Sequence, residues 1–165
     1  MINIYAPQVG LDKEIKRRLW EDLNRLVHGI PHTEKLFIGG DFNGHIGATS
    51  RDYDDVHGGF GFGVRNGDGT LLLDGAKTFD LVIANSCFAK REKYLVTFQS
   101  LLAKTQIDYL LLRKCDRGLC MDCKVIPREN LTTQHMLLVM DLEIMRKRKM
   151  KKRVVYGQTR IRWVP

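Results

Sequence analysis

A single mixed domain, α/β or α+β, is the architecture this chain leads one to expect, and three observations carry that expectation. Leu11, Ile15, Leu19, Leu23, Leu26 and Val27 recur at i, i+4 and i+8 with charges between them, the stripe of an amphipathic helix lying on a sheet. Short apolar runs of strand length flank that helix and dominate the second half of the chain. The 165 residues suit one core, and neither a linker-like stretch nor an internal repeat divides them.

Taken in order, "MINIYAP" alternates as a strand and stops at Pro7. The helix occupies residues 9–28, and Gly29 and Pro31 stand where a helix stops. "KLFIGG" (35–40) is a short buried strand, and residues 40–69 form a long loop rich in glycine and aspartate. "TLLLDGAKTF" (70–79) is a short helix weakened by Gly75. Strands follow at "DLVIANS", "KYLVTFQS", "TQIDYLLLR", "CKVIP" and "MLLVMDLEI" (136–144). The loop segment "HGGFGFGVRNGDG" lacks the full G-x-G-x-x-G of a dinucleotide site and does not follow a strand. It reads as a turn-rich surface loop in which Arg65 and Asn66 remain available to a phosphate.

A 44% hydrophobic content and a negative mean hydropathy fit a soluble globular protein. No run approaches the roughly 18–20 apolar residues of a bilayer span, and the N-terminus does not resemble a signal peptide. The expectation is an intracellular protein, nuclear or cytoplasmic, with no membrane partner. The net charge of +8 is concentrated: residues 146–153, "RKRKMKKR", hold seven Lys/Arg and leave 20 basic against 19 acidic elsewhere. The domain is therefore taken as residues 1–145, with 146–165 as a basic tail. Such a run either attracts nucleic-acid phosphates or is a solvated tail with no particular contact. Cys115, Cys120 and Cys123 are spaced C-x4-C-x2-C without a downstream fourth cysteine. Zinc with His135 as fourth ligand is a remaining option, and reduced thiols are the default.

Phosphodiester hydrolysis needs a cation to neutralise charge, a group to activate water and donors to hold the phosphate. Suitable side chains stand at strand ends. Asp41 and Asn43 follow "KLFIGG"; Asp108 interrupts the apolar "QIDYLLL"; His135 precedes "MLLVMDL"; Tyr5 ends the first strand. An aspartate beside a histidine fixes its tautomer and stabilises the imidazolium. Each has a plainer alternative: Asp41 and Asn43 as turn formers, Asp108 on a solvated edge, His135 as a lone surface histidine, Tyr5 in the core.

"NIYAP", "IGGDFN", "GVRNGDGTLLLDGAKTFDLVIANSCF", "TFQS", "QIDYLLL" and "TTQHMLLVMDL", in that order, resemble the C-terminal portion of the endonuclease/exonuclease/phosphatase superfamily. Within it the chain is similar to LINE-type retrotransposon endonucleases and the craniofacial development protein 2-like group. The resemblance implies the C-terminal half of a four-layer, DNase I-like α/β sandwich, a mixed sheet flanked by helices. It also implies a phosphodiesterase dependent on Mg²⁺ or Mn²⁺ that acts on DNA. Carried over, Asp41 positions or activates the attacking water and binds metal, while Asn43 and Tyr5 meet the phosphate. Asp108 orients His135, which polarises the scissile phosphate or acts as base.

Two departures follow. The family's Ser-Asp-His is here Thr133-Gln134-His135, so Gln134 offers the metal only a neutral amide oxygen. The N-terminal half, with its metal-binding glutamate in a "QE" motif, has no counterpart. The resemblance therefore implies a fragment of retroelement origin with weak or no activity by itself, and an apolar sheet face open to a partner. The alternative is a non-enzymatic remnant that binds nucleic acid or a protein.

Overall fold

The computed structural model of the chain describes residues 1–6, 13–130 and 134–144. A four-stranded sheet holds the domain together, and its order follows the apolar runs. Strand β1 (Ile2–Tyr5) lies parallel to β2 (Phe37–Asp41), β2 is antiparallel to β6 (Asp108–Arg113), and β6 is antiparallel to β3 (Leu81–Ile83). Helix α1 (Lys13–Gly29) makes the β1–β2 crossover that a parallel pair requires, and α2 (Gly67–Thr78) leads into β3.

Alternation assigns the two faces of the sheet. Ile4, Ile38, Tyr109, Leu111 and Ile83 point to the helical side. There they bury against Leu23 and Val27 of α1 and Leu72, Leu73 and Ala76 of α2. Phe37, Leu110 and Leu112 point the other way, onto a second cluster with Leu138, Met140 and Leu142. Those three belong to β8 (Met136–Leu142), which pairs antiparallel with β7 (Cys120–Asn130). The expected open sheet face is thus covered over β6 and β3 by the β7–β8 ribbon. Beside β1 it stays open, where Met1 is 90% exposed.

Local details differ from the reading of the sequence for identifiable reasons. The second helix begins at Gly67 because Asn66 caps it, its side chain accepting from the Gly69 N–H at 2.8 Å and from the His45 N–H at 2.9 Å. Gly75 makes room for α1, since a Cβ there would lie 2.4 Å from the Trp20 ring. The strand expected over "KYLVTFQS" is mostly a turn. Leu95 and Val96 donate back to the Glu92 carbonyl, and only Phe98–Gln99 (β4) pairs, with Lys104–Thr105 (β5). "DLVIANS" yields three strand residues and then a 3₁₀ turn, Ala84–Ser86. The basic tail, 146–165, and Thr133 lie outside the described residues.

The long loop after β2 is anchored from inside. The Tyr109 hydroxyl, fully buried, lies 2.6 Å from the Gln106 carbonyl and 2.9 Å from that of Gly44. Buried His57 accepts from the Gly59 N–H through Nδ1 and meets the Gly47 carbonyl through Nε2, 3.1 Å away. Nε2 therefore carries the proton, and burial pushes the imidazole pKa down.

Candidate active site

Register brings three of the expected residues into one row. Tyr5 is the parallel partner of Asp41, and Asp41 is the antiparallel partner of Asp108. Partners in register share a face, so all three project from the side opposite the helices, at the end of the sheet where β1 and β2 finish. Tyr5, on the edge strand, is 69% exposed and outside the core.

Asp41 is 8% exposed. Its Oδ1 accepts the Asn43 backbone N–H at 2.8 Å, closing an Asx turn, and Asn43 takes a left-handed conformation with φ of 49°. The Asn43 side chain donates to the Ala6 carbonyl at 2.8 Å, tying the ends of β1 and β2 together. An amide nitrogen carries two protons and this bond uses one. The turn-former and functional readings of Asp41 and Asn43 are therefore compatible.

Asp108 and His135 meet across a sequence separation of 27, with Asp108 Oδ2 and His135 Nδ1 3.2 Å apart. His135 reaches that place through β4. Phe98 forms a bridge with it, the Gln99 N–H donates to the Gln134 carbonyl at 2.9 Å, and the Met136 N–H donates to that of Thr97 at 2.8 Å. The Phe98 ring packs edge-on against the imidazole at 5.1 Å. His135 is only partly exposed, and the readings of Asp108 as a solvated edge residue and His135 as a lone surface histidine both fail.

Asp41, Asp108 and His135 each present a ligand atom within 4.8 Å of the others, the one such group among the described residues. Burial raises the pKa of both carboxylates. For Asp41 the Asn43 N–H opposes that shift and the Asp108 charge adds to it; for Asp108 the Thr97 hydroxyl and His135 oppose it. Two half-desolvated carboxylates beside an imidazole favour a bound cation, and the oxygen–nitrogen donor set fits a divalent metal. The zinc–thiolate option is not formed: His135 faces carboxylates, while Cys120 and Cys123 lie in the second cluster, where burial pushes their thiol pKa values up.

Gln134 is exposed beside His135, its carbonyl engaged by Gln99. Arg65 and Asn66 serve the fold instead of a phosphate. Asn66 is the cap of α2, and the Arg65 guanidinium donates to the Ile46, Thr49, Ser50 and Arg51 carbonyls and stacks 4.8 Å from the Tyr53 ring. Beside these stands a residue to which the sequence assigned no role. Thr97, fully buried, accepts the Ile107 and Asp108 N–H groups at 3.0 Å each. A lone threonine in "VTF" signals nothing, because its role lies in partners ten residues on.

The four-stranded mixed sheet and its helices give the chain the fold shared by the endonuclease/exonuclease/phosphatase superfamily. Solved structures bear out the fold. The endonuclease domain of TRAS1, a telomere-specific non-LTR retrotransposon, superposes with a TM-score of 0.57 at 18% identity, over 82% of this chain and 54% of that one. A 3'-5' exonuclease (NExo) from Neisseria meningitidis gives 0.62 at 14% identity, over 86% and 60%. The chain is related in sequence to craniofacial development protein 2. It is 32% identical to that of Tragulus javanicus and 31% to that of Bos taurus, over 84% of this chain in both cases. The chain spans about a quarter of the length of those curated relatives, 24% of each. No protein-family model matches it.

Proposed function

We propose that this chain carries part of a metal-dependent phosphodiesterase site for nucleic acid, DNA above all, and that its turnover alone is weak. The observation that carries the reading is the meeting of Asp41, Asp108 and His135 within 4.8 Å, from three separate strand ends. Asp41, with its proton affinity raised by burial, takes the proton of an attacking water more readily than an ordinary carboxylate. Asn43 and Tyr5 hold phosphate oxygens at the open rim. Asp108 fixes His135 through Nδ1, and Nε2 would be the ring atom that meets the scissile phosphate or the leaving oxygen. Asp41 and Gln134 would hold Mg²⁺ or Mn²⁺, whose chemistry when bound is to neutralise phosphate charge as a Lewis acid.

Weak turnover follows from the donor set, because Gln134 is a neutral side chain where the resemblance places a metal-binding aspartate. The likeness to a retrotransposon endonuclease domain supports a retroelement origin. Among the described residues no helix is long and apolar enough to cross a membrane. Binding without cleavage is the second reading, favoured by Gln134 and by the seven positive charges of residues 146–153.

Incubation of supercoiled plasmid with the purified chain tests both. The expected result is slow nicking that requires Mg²⁺ or Mn²⁺ and disappears in Asp41→Ala and in His135→Ala. Nicking that persists in both variants overturns the catalytic reading. Salt-sensitive binding with no nicking selects the second.

A further inference from the structure

We infer that Asn85, a residue with no assigned role, is a positioning residue that sets the Asp108 carboxylate against His135. Strand β3 leaves β6 after Ile83, which pairs with Leu111, and the chain turns away through Ala84–Ser86. The departure would strip β6 of its neighbour at the segment that bears Asp108. Asn85, 2% exposed, fills the gap with its side chain: Nδ2 donates to the Asp108 carbonyl at 3.1 Å and Oδ1 accepts from the Leu110 N–H at 3.2 Å. The amide supplies the donor and acceptor that a further strand residue would have supplied. On the same stretch the Asp108 N–H is held by Thr97 Oγ1 at 3.0 Å. Both main-chain groups of Asp108 are thus clamped by side chains, one from each flanking turn. The Cα of Asp108 is fixed at the point from which its carboxylate reaches His135 at 3.2 Å. A carboxylate held this way loses less on meeting its partner than one on a fraying strand end.

The inference rests on Asp108 and His135 acting as a pair, but its test does not require turnover. The ¹⁵N-labelled chain is examined by NMR for the imidazole Nδ1–H of His135, assigned by its loss in His135→Ala. That proton is protected from exchange while Asp108 accepts it. Asn85→Ala removes both bonds, and the isosteric Asn85→Asp keeps the acceptor but removes the donor to Asp108. Ser86→Ala is the control for a merely structural effect. The Ser86 hydroxyl is fully buried in the same turn and bonds the Ile83 carbonyl at 2.7 Å and the Gly58 N–H at 3.0 Å, neither of them on β6. The resonance should be present in the wild type and Ser86→Ala and lost to exchange in both Asn85 variants. Its persistence in folded Asn85→Asp, its loss in Ser86→Ala, or its absence from the wild type overturns the inference. Failure to nick plasmid bears on the proposed activity alone.

Discussion

Replacing Gly40 with alanine tests the tightest contact beneath the site. A Cβ at that position would lie 1.8 Å from the Ile4 carbonyl oxygen, where carbon and oxygen ordinarily keep about 3.3 Å. Strands β1 and β2 would have to part by roughly 1.5 Å. Ile4 and Gly40 are register partners, and the Ala6 N–H to Asp41 carbonyl bond, 2.7 Å, lies just beyond them. Loss of about two ladder bonds costs about 1 kcal/mol each, and φ of +152° forced on alanine adds about 1–3 kcal/mol. The total is about 3–5 kcal/mol, a large part of the stability of a domain this size. Gly39 supplies the contrast: a Cβ there meets Leu110 Cδ2 at 2.7 Å, the end of a side chain that turns aside for about 1 kcal/mol. Thermal denaturation followed by circular dichroism should show Gly40→Ala melting roughly 10–15 °C below the wild type and Gly39→Ala within about 4 °C. Equal losses, or a Gly40→Ala chain that melts with the wild type, would refute the argued approach of the strands.

Other outcomes follow from the same geometry. Asp41→Asn should stabilise the fold relative to wild type. Because burial raises the folded pKa of Asp41, the wild type keeps its full stability below the ordinary value of 3.8 and loses it as pH rises through the folded pKa. The gap in guanidinium midpoints between the two chains should therefore open with rising pH, and a gap that closes would contradict the sign. Arg65→Ala should cost about 2 kcal/mol by freeing four carbonyls of the 46–51 loop, and limited proteolysis should cut there first. Gln134→Asp should tighten Mn²⁺ binding about tenfold by calorimetry, since it gives the metal a second charged oxygen beside that of Asp41.

Much of this protein was legible along the chain because the information is local. The i, i+4 stripe produced α1 to within a few residues where the helix is described, and two glycines before an aspartate marked a strand tip that does carry a candidate site. Reading failed where a partner distant in sequence decided the outcome. "KYLVTFQS" has the composition of a strand, yet among the described residues no strand pairs with its first half, and the turn onto the Glu92 carbonyl satisfies the backbone instead. Arg65 beside glycines looked open to phosphate, but a ring of carbonyls lies within its reach.

The residue types needed for phosphodiester chemistry were thus set down by the sequence alone: an aspartate and asparagine after one strand, an aspartate opening another, a histidine before a third. Their assembly was decided in three dimensions. Antiparallel register put Asp108 opposite Asp41, β4 carried His135 to them, and Thr97 and Asn85 clamped the main chain where β3 departs. The raised carboxylate pKa values were decided there as well, because desolvation depends on what packs around a group and not on its neighbours along the chain.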